Sequence, residues 1–176
     1  MKPIALGVFA VGLILVLNKE KILMLNSKYD EIFKREASRY GLDWQMMKRI
    51  AYIESRIGLY PSVAWGILNP TDLERSKSND GKSWGIMQMR PSTARDFDPN
   101  ATAQLLNDPE YSIMVAAQYI NWCSIYLQRF ISKNNRRFNE FLVKSYNQGV
   151  GNTVKEISGA SKGFAGQYFE KYQAVA

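Results

Sequence analysis

The chain has 176 residues, 46% of them hydrophobic, which is enough for one compact domain with a core and short for two. Its 23 Lys and Arg residues against 16 Asp and Glu residues give a net charge of +7, which suits an anionic partner such as nucleic acid, a phospholipid surface or a carboxylate-bearing polymer. The chain has no histidine, which excludes Ser-His-Asp and Cys-His pairs and any His-ligated metal site. Acid–base chemistry must therefore come from carboxylates, Tyr or Lys. The single Cys123 has apolar neighbours and is interpreted as a buried structural thiol.

An uncharged apolar segment, residues 3–17, lies near the start of the chain between Lys2 and a polar run at 18–21. As a helix of about 1.5 Å per residue it would span about 22 Å, short of a bilayer core of about 30 Å. An uncleaved membrane anchor is favoured; a cleaved signal peptide and a buried core helix remain alternatives. Lysines on both sides leave its membrane orientation open. We therefore divide the chain into an anchor or signal segment, 1–25, and a domain, 26–176.

The domain carries strong helical signals and almost no strand signals. Ser27 or Asp30 can cap a first helix, which Gly41 is expected to end. Asp43 can cap a second helix, with the sequence WQMMKRIAYIESRI, which is expected to end at Gly58.

The stretch 61–83 is polar and rich in Pro, Gly, Ser and Asn, which predicts a long functional or mobile loop with room for a short hairpin. A short helix is expected to begin near Pro91. Asp108 followed by Pro109 is a strong start signal, because it joins a capping side chain to proline at the first helical position. A long helix is predicted from there to about Phe130.

Two further helices are predicted near the end of the chain. One begins at Phe138 and runs into the stretch SYNQGVG, where Gly149 and Gly151 permit a turn. The other lies within residues 164–172. The predicted fold class is all-α, a single lobe of about six or seven helices behind the membrane segment.

Glu54 is the most informative residue for chemistry. Its helix neighbours at helical spacing are apolar: Met47 lies seven residues before it, Ile50 four before it and Ile57 three after it. Its carboxyl group therefore shares their apolar helix face. Desolvation would raise its pKa and keep it protonated near neutral pH, as a general acid requires. The alternative is a carboxylate at the edge of the apolar face, satisfied by neighbouring arginines or solvent.

A second candidate is the stretch SWGIMQMRPSTA at residues 83–94, which places Gln88 between two methionines. An amide with apolar neighbours on both sides needs hydrogen-bond partners, and a polar ligand in a cleft could supply them. A turn with a satisfied core amide explains the same pattern.

Together these stretches resemble a known family. Three motifs occur in order along the chain: ES at 54–55, GIMQ at 85–88 with PSTA at 91–94, and SYNQG at 145–149. They resemble the signature ES, GLMQ, P-x-TA and AYNAG of the lytic transglycosylases related to soluble lytic transglycosylase and goose-type lysozyme. The resemblance covers about residues 29–172. The ordered set is specific, whereas any single motif is weak.

The resemblance implies a lysozyme-like α domain that cleaves the β-1,4 bond between N-acetylmuramic acid and N-acetylglucosamine in peptidoglycan. It implies that Glu54 protonates the glycosidic oxygen and then, as a carboxylate, takes the proton of the muramoyl 6-hydroxyl, which closes a 1,6-anhydro ring. This scheme needs no second carboxylate, metal or cofactor, unlike the two-carboxylate scheme of most glycosidases.

The family also implies substrate-binding roles for residues near the catalytic carboxylate. Ser55 is expected to contact the muramic acid, and Met87 and Gln88 to line the cleft. Tyr146 is expected to bring its hydroxyl to the catalytic carboxylate, and Asn147 to supply the amide that follows it.

The sequence departs from the family signature at three places. The segment between the first two motifs is longer than usual, Arg90 stands where a hydrophobic residue is common, and Gln148 replaces a small residue. Gly85, Arg90 and Tyr168, which matches a late family tyrosine, are further candidate site residues.

Three alternative functions remain. A hydrolytic lysozyme could take its second carboxylate from Asp72, Glu74 or Asp80 in the long loop. A non-catalytic wall-binding component of a virion or secretion machine would need no protonatable carboxylate. Nucleic-acid binding is not expected, because the basic run at 132–138 has no recognised motif beside it.

The expected location is a membrane, through residues 3–17, with the catalytic domain facing peptidoglycan. A phage virion that opens the wall for genome delivery, a secretion or conjugation machine, and wall turnover are all compatible with this location. Small size and basic charge favour the phage or secretion role, with virion or secretion-complex proteins as further partners.

Overall fold

The computed structural model describes residues 27–57 and 82–175, and within these ranges it is all-helical, as predicted. The described ranges hold eight helices, against six or seven expected, and no strand beyond one isolated antiparallel bridge between Trp84 and Met89. The helices are α1 Asp30–Tyr40, α2 Trp44–Ser55, α3 Pro91–Ala94, α4 Ala103–Leu106, α5 Pro109–Leu127, α6 Phe138–Gln148, α7 Val150–Ile157 and α8 Gly166–Ala174.

The predicted capping residues begin two of the helices. The Asp43 side chain accepts a hydrogen bond from the Gln45 backbone N–H at the start of α2. The Asp108 side chain accepts one from the Tyr111 N–H at the start of α5, where proline occupies the first turn. These caps satisfy N–H groups that have no partner inside the helix.

The predicted helix ends are confirmed for α1 and wrong for α2. Gly41 ends α1 in the left-handed conformation with a φ of 61°. Helix α2 stops at Ser55, before the expected Gly58, because Arg56 and Ile57 both take left-handed conformations with φ of 53° and 57°. Ile57, which follows this early end, lies in the core and is 3% exposed.

The stretch after α6 differs from the predicted simple turn. Gly149, with a φ of 80°, interrupts the helix for a single residue, and α7 starts at Val150. Gly151 therefore lies inside α7. Helix α7 and the short α4, which Thr102 caps by accepting from the Leu105 N–H, are the two helices that the sequence patterns did not indicate.

Helix α5 is the centre of the domain. It packs against α1, α3, α4, α6 and α7, which surround it. Ile113, Val115 and Leu127 on this helix are fully buried. Cys123 is 1% exposed, and burial raises its pKa to about 12, which confirms the predicted inert thiol.

Two predicted features lie outside the described residues: the membrane segment at 3–17, and most of the long loop with its hairpin at 61–83. Within 27–57 and 82–175, no helix combines the length and apolarity needed to cross a bilayer.

Candidate active site

The C-terminal end of α2 opens into a cleft of about 490 Å³. Its described lining comes from α2, the turn after residue 83, α3, α5, the α6–α7 junction and the segment before α8. The lining residues are Glu54, Ser83, Gln88, Met89, Arg90, Thr93, Tyr119, Tyr146, Asn147, Gln148, Gly149 and Phe164. Five candidates from the sequence are among them: Glu54, Gln88, Arg90, Tyr146 and Asn147.

Glu54 has the environment that its sequence position predicts. It lies on the last turn of α2, between the cleft and the core. Burial raises the pKa of its carboxyl group to about 7, against an opposing effect of the Tyr168 hydroxyl, which donates a 2.7 Å hydrogen bond to Oε1. A carboxyl group with this pKa is populated in both protonation states near neutral pH.

The alternative of an edge carboxylate neutralised by arginine does not describe Glu54. The Arg49 guanidinium lies 5.6 Å from the Tyr172 ring, and the Arg56 guanidinium lies 4.5 Å from the Tyr52 ring. Burial and the hydroxyl of Tyr168 are what set the Glu54 pKa.

Tyr168, and not Tyr146, donates the hydrogen bond to Glu54. The Tyr146 hydroxyl donates to the Met87 carbonyl at 2.7 Å, whereas Tyr168 supplies the hydrogen bond to Glu54 that was expected from Tyr146. Tyr146 lines the same cleft as Glu54, and burial first and the Glu54 charge second raise the Tyr146 pKa well above its ordinary value. Tyr168, from α8, is therefore the direct partner of the carboxyl group.

The GIMQ motif forms a tight turn. Trp84 and Met89 exchange backbone hydrogen bonds of 2.9 and 3.1 Å across it, and the Gln88 N–H donates to the Gly85 carbonyl at 3.0 Å. Gly85 has a φ of 75°, and a Cβ there would collide with the Leu106 carbonyl. The glycine therefore gives both the turn and its close contact with α4.

Three side chains from three helices hold this turn in place. Ser55 on α2 donates to the Ile86 carbonyl at 2.6 Å. The Met87 N–H donates to the Ser112 hydroxyl on α5 at 3.3 Å. The Tyr146 hydroxyl on α6 donates to the Met87 carbonyl.

Ser55 and the Met87 side chain are 2% and 0% exposed, so they lie beneath the cleft, whereas family resemblance predicted substrate contacts for them. The substrate contacts of these two residues stay a prediction. Hydrogen bonding within the turn uses the Ser55 hydroxyl, and the core encloses the Met87 thioether.

The turn presents Gln88 to the cleft. Its φ of 49° is left-handed, a conformation that is uncommon outside glycine. Its side-chain amide donates to the Gly85 carbonyl at 2.8 Å, which fixes the orientation of the group. Strained backbone of this kind is frequent at functional sites.

Several residues of the site were not assigned a role from the sequence, among them Ser112, Tyr119, Gln148 and Phe164. Ser112 is a polar residue on the buried face of an apolar helix, where it is 0% exposed. Such a position was the only sequence feature that could have indicated its role in the site. Tyr119 donates to the Ser145 carbonyl at 3.1 Å, and Phe164 lines the cleft. Sequence spacing carries no signal for these tertiary contacts.

No group of three or more Cys, Asp or Glu side chains that could hold a metal ion occurs within 27–57 and 82–175.

Within the described residues the domain is all-helical and its cleft is built around one half-buried glutamate, which is consistent with the lysozyme-like α class. A profile of the Transglycosylase SLT domain family matches residues 31–168, and the chain belongs to this family. The match spans all three motifs and reaches Tyr168.

The chain is also similar to the membrane-bound lytic murein transglycosylase E of Buchnera aphidicola subsp. Acyrthosiphon pisum (strain APS). The two are 25% identical over 154 residues, which is 83% of this chain and 61% of the relative. The chain therefore spans about three fifths of that relative's length.

Proposed function

We propose that the domain is a peptidoglycan lytic transglycosylase that cleaves the β-1,4 bond between N-acetylmuramic acid and N-acetylglucosamine. The observation that carries the proposal is the half-buried Glu54 carboxyl group at the edge of the cleft, whose pKa desolvation raises to about 7. Membership of the SLT family and the name of the Buchnera relative support the same chemistry.

In the first step, protonated Glu54 donates its proton to the glycosidic oxygen. The C1–O4 bond breaks, the N-acetylglucosamine strand leaves with its 4-hydroxyl, and positive charge develops at C1 of the muramoyl sugar. A raised pKa keeps a large fraction of Glu54 in the acid form near neutral pH, which this step requires.

In the second step, the Glu54 carboxylate takes the proton of the muramoyl 6-hydroxyl. The O6 atom bonds to C1, which closes the 1,6-anhydro ring and regenerates the acid without consuming water. The Tyr168 hydroxyl stabilises the carboxylate between the two steps, because it donates a hydrogen bond to Oε1.

Polar side chains of the cleft bind the sugars in this proposal. Gln88 and Asn147 present amides to the sugar hydroxyl and N-acetyl groups, and Arg90 offers a cation to the lactyl and stem-peptide carboxylates. Tyr146 supplies an apolar ring surface beside Glu54.

The closest alternative is a hydrolytic lysozyme with a second carboxylate. Of the described residues that line the cleft, Glu54 alone carries a carboxyl group, which favours the single-carboxylate scheme. Asp72, Glu74 and Asp80, the candidates for a second carboxylate, lie outside the described residues.

The role of Glu54 is tested with purified sacculi. Glu54→Gln keeps the size and polarity of the side chain and removes its proton transfer. We expect lysis to fall by at least a thousandfold, while sedimentation with sacculi is retained. Lysis at the wild-type rate would remove Glu54 from the mechanism, whereas no lysis by the wild-type protein itself would favour a wall-binding module.

We further propose that residues 3–17 anchor the protein in a membrane with the domain on the peptidoglycan side, where it opens the wall locally for phage genome delivery or for a secretion machine. The apolar segment, the basic charge and the name of the membrane-bound relative support this location. The test is fractionation of cells that express the full chain. Recovery in the soluble fraction after mild lysis would contradict the anchor.

A further inference from the structure

A row of aromatic side chains leads out of the cleft along α5. It consists of Tyr119, Trp122, Tyr126 and Phe130, named here the aromatic row. Their successive ring centroids are 6.1, 5.5 and 5.6 Å apart. Spacings of three and four residues keep these side chains on one side of the helix and of the turn that follows it.

The aromatic row is continuous with the candidate active site. Tyr119 lines the cleft, and its ring packs edge-on against that of Tyr146, another lining residue, with the centroids 5.7 Å apart. Phe97 packs edge-on against Tyr119 and Trp122 at 5.9 and 6.4 Å, which supports the inner end of the row. A polymer that fills the cleft can therefore continue along these rings.

The outer end of the aromatic row is exposed. Trp122 retains 43% of its accessible surface and Phe130 retains 45%. The Arg129 guanidinium lies 5.2 Å from the Tyr126 ring, so a cation accompanies the apolar surface. An exposed apolar patch with a polar rim marks a binding surface more often than a structural one.

We propose that the aromatic row binds the polymeric glycan strand beyond the sugars held in the cleft. The apolar faces of pyranose rings pack on aromatic rings, and the Arg129 cation suits the carboxylates of the stem peptides. Continuity with the cleft favours a glycan over a protein partner or a second copy of the chain. The inference rests on the proposed function, because it takes peptidoglycan as the substrate.

The test measures binding to sacculi in the Glu54→Gln background, in which the wall is not digested. Trp122→Ala and Tyr126→Ala are added separately and together, and Leu105→Ala, which truncates another exposed apolar side chain, is the matched control. We expect the double substitution to raise the Kd for sacculi at least fivefold and the control to leave it unchanged. Circular dichroism establishes that each variant is folded.

Unchanged sacculus binding by the folded double variant would overturn the proposal. A change of oligomeric state with unchanged sacculus binding would assign the aromatic row to self-association and overturn it as well. The binding assay does not depend on turnover. Failure of the transglycosylase assignment and failure of the glycan surface are therefore separate results.

A second inference concerns Gln148, the residue that departs from the small residue of the family signature. Its side chain is 4% exposed, and both ends of the amide are used. Oε1 accepts hydrogen bonds from the Phe164 and Ala165 N–H groups, both 2.9 Å, and Nε2 donates to Thr153 Oγ1 at 3.1 Å and Glu156 Oε2 at 2.9 Å. Gln148 therefore joins the end of α6 to α7 and to the segment before α8.

Neighbouring groups hold this amide in one orientation. Lys144 donates to Glu140 at 2.7 Å and to Glu156 at 2.6 Å, which fixes the carboxylate that accepts from Gln148. Gly163, with a φ of 67°, packs so closely that an added Cβ would collide with the Glu156 carboxylate. The segment before α8 is thus held against the network.

We propose that Gln148 is a positioning residue that sets the hydrogen bond between Tyr168 and Glu54. Ala165, which Gln148 holds, accepts the first-turn hydrogen bond of α8 from the Phe169 N–H at 3.0 Å. The same turn carries Tyr168 to the Glu54 carboxyl group. Loss of the Gln148 amide releases this turn and lengthens the hydrogen bond between the Tyr168 hydroxyl and Glu54.

The test titrates the Glu54 carboxyl group directly by carbon-13 NMR of the full chain, with Glu54→Gln to identify its signal. Tyr168 and Tyr146 face Glu54 from α8 and α6, and Arg90 lines the same cleft. Gln148→Ala is expected to raise the Glu54 pKa in the same direction as Tyr168→Phe. Gln167→Ala, the same substitution at an exposed position beside Tyr168, is expected to leave it unchanged.

The double variant Gln148→Ala/Tyr168→Phe decides between positioning and an independent effect. If Gln148 acts through Tyr168, the double variant titrates like Tyr168→Phe alone. Additive shifts, or no shift in Gln148→Ala, would overturn the proposal. Should Gln148→Ala fail to fold, Gly163→Ala displaces the same segment and is judged by the same titration.

Discussion

At Glu54 two opposing effects act on one carboxyl group. Burial at the end of α2 raises its pKa to about 7, and the hydroxyl of Tyr168 lowers it by stabilising the charged form. The sequence predicted the first effect, because an apolar helix face can be recognised from spacing. It could not predict the second, because Tyr168 is 114 residues away along the chain.

The raised pKa makes stability depend on pH. The folded state binds the Glu54 proton more tightly than the unfolded state, so this contribution is fully present below about pH 4.5 and is lost as pH rises through about 7. The wild type should lose this stability as pH rises, whereas Glu54→Gln should not. We therefore expect the unfolding free energy of Glu54→Gln relative to the wild type to increase by about 2 kcal/mol between about pH 4 and 8, allowing for screening by cleft water. Urea denaturation at both pH values measures it. A gain that is constant with pH would contradict the raised pKa.

Tyr168→Phe removes the hydroxyl that stabilises the Glu54 carboxylate. The pKa of Glu54 should rise further, so the alkaline limb of the pH–rate profile should move upward by about one pH unit. Tyr172→Phe, the same change one turn further along α8, is the matched control and should leave the limb in place. If both variants shift the limb equally, the hydrogen bond to Glu54 is not its cause.

Among the elements, capped helices were the most predictable. Asp43 and Asp108 begin helices where the sequence placed them, because a cap is a local interaction. Helix α7 was not predicted, because Gly149 indicates a helix end and the chain resumes helical structure one residue later. The early end of α2 was likewise not predicted, because no local signal marks the left-handed conformations of Arg56 and Ile57.

The turn at residues 84–89 illustrates the same limit. Its glycine was recognised, but its contact with α4 and its anchors on three helices were not.

Gly85→Ala should cost several kcal/mol of folding stability, because the added Cβ meets the Leu106 carbonyl. Gly159→Ala, at the same φ of 75° with nothing within 4 Å of the added Cβ, should cost only about 1 kcal/mol. Thermal unfolding of both variants measures the difference; equal losses would mean that the turn does not contact α4 closely.

At the scale of the whole molecule, resemblance to a known family predicted more about function than hydrophobic periodicity did. The three motifs predicted the family, which is confirmed, and the structure places Glu54, Gln88, Tyr146 and Asn147 from these motifs in one cleft. The burial of Ser55 and Met87 was not predicted, because a motif does not separate buried residues of a site from those that face the cleft. The membrane anchor and the phage or secretion role stay predictions.

The net charge of +7 predicts how the whole molecule responds to salt. If peptidoglycan carboxylates attract the basic domain, binding of Glu54→Gln to sacculi should weaken several-fold between about 0.05 and 0.5 M salt. Sedimentation of the protein with sacculi over this range measures the effect. Binding that does not change with salt would assign recognition to uncharged contacts such as the aromatic row.

The central claim is that one carboxyl group, Glu54, performs both proton transfers without water. Digestion of sacculi in isotopically labelled water, followed by mass analysis of the muropeptides, tests it most directly. The account predicts 1,6-anhydro-muramoyl ends that are lighter than reducing ends by one water and carry no label, and none from Glu54→Gln. Reducing ends that carry the label would show hydrolysis and contradict the account.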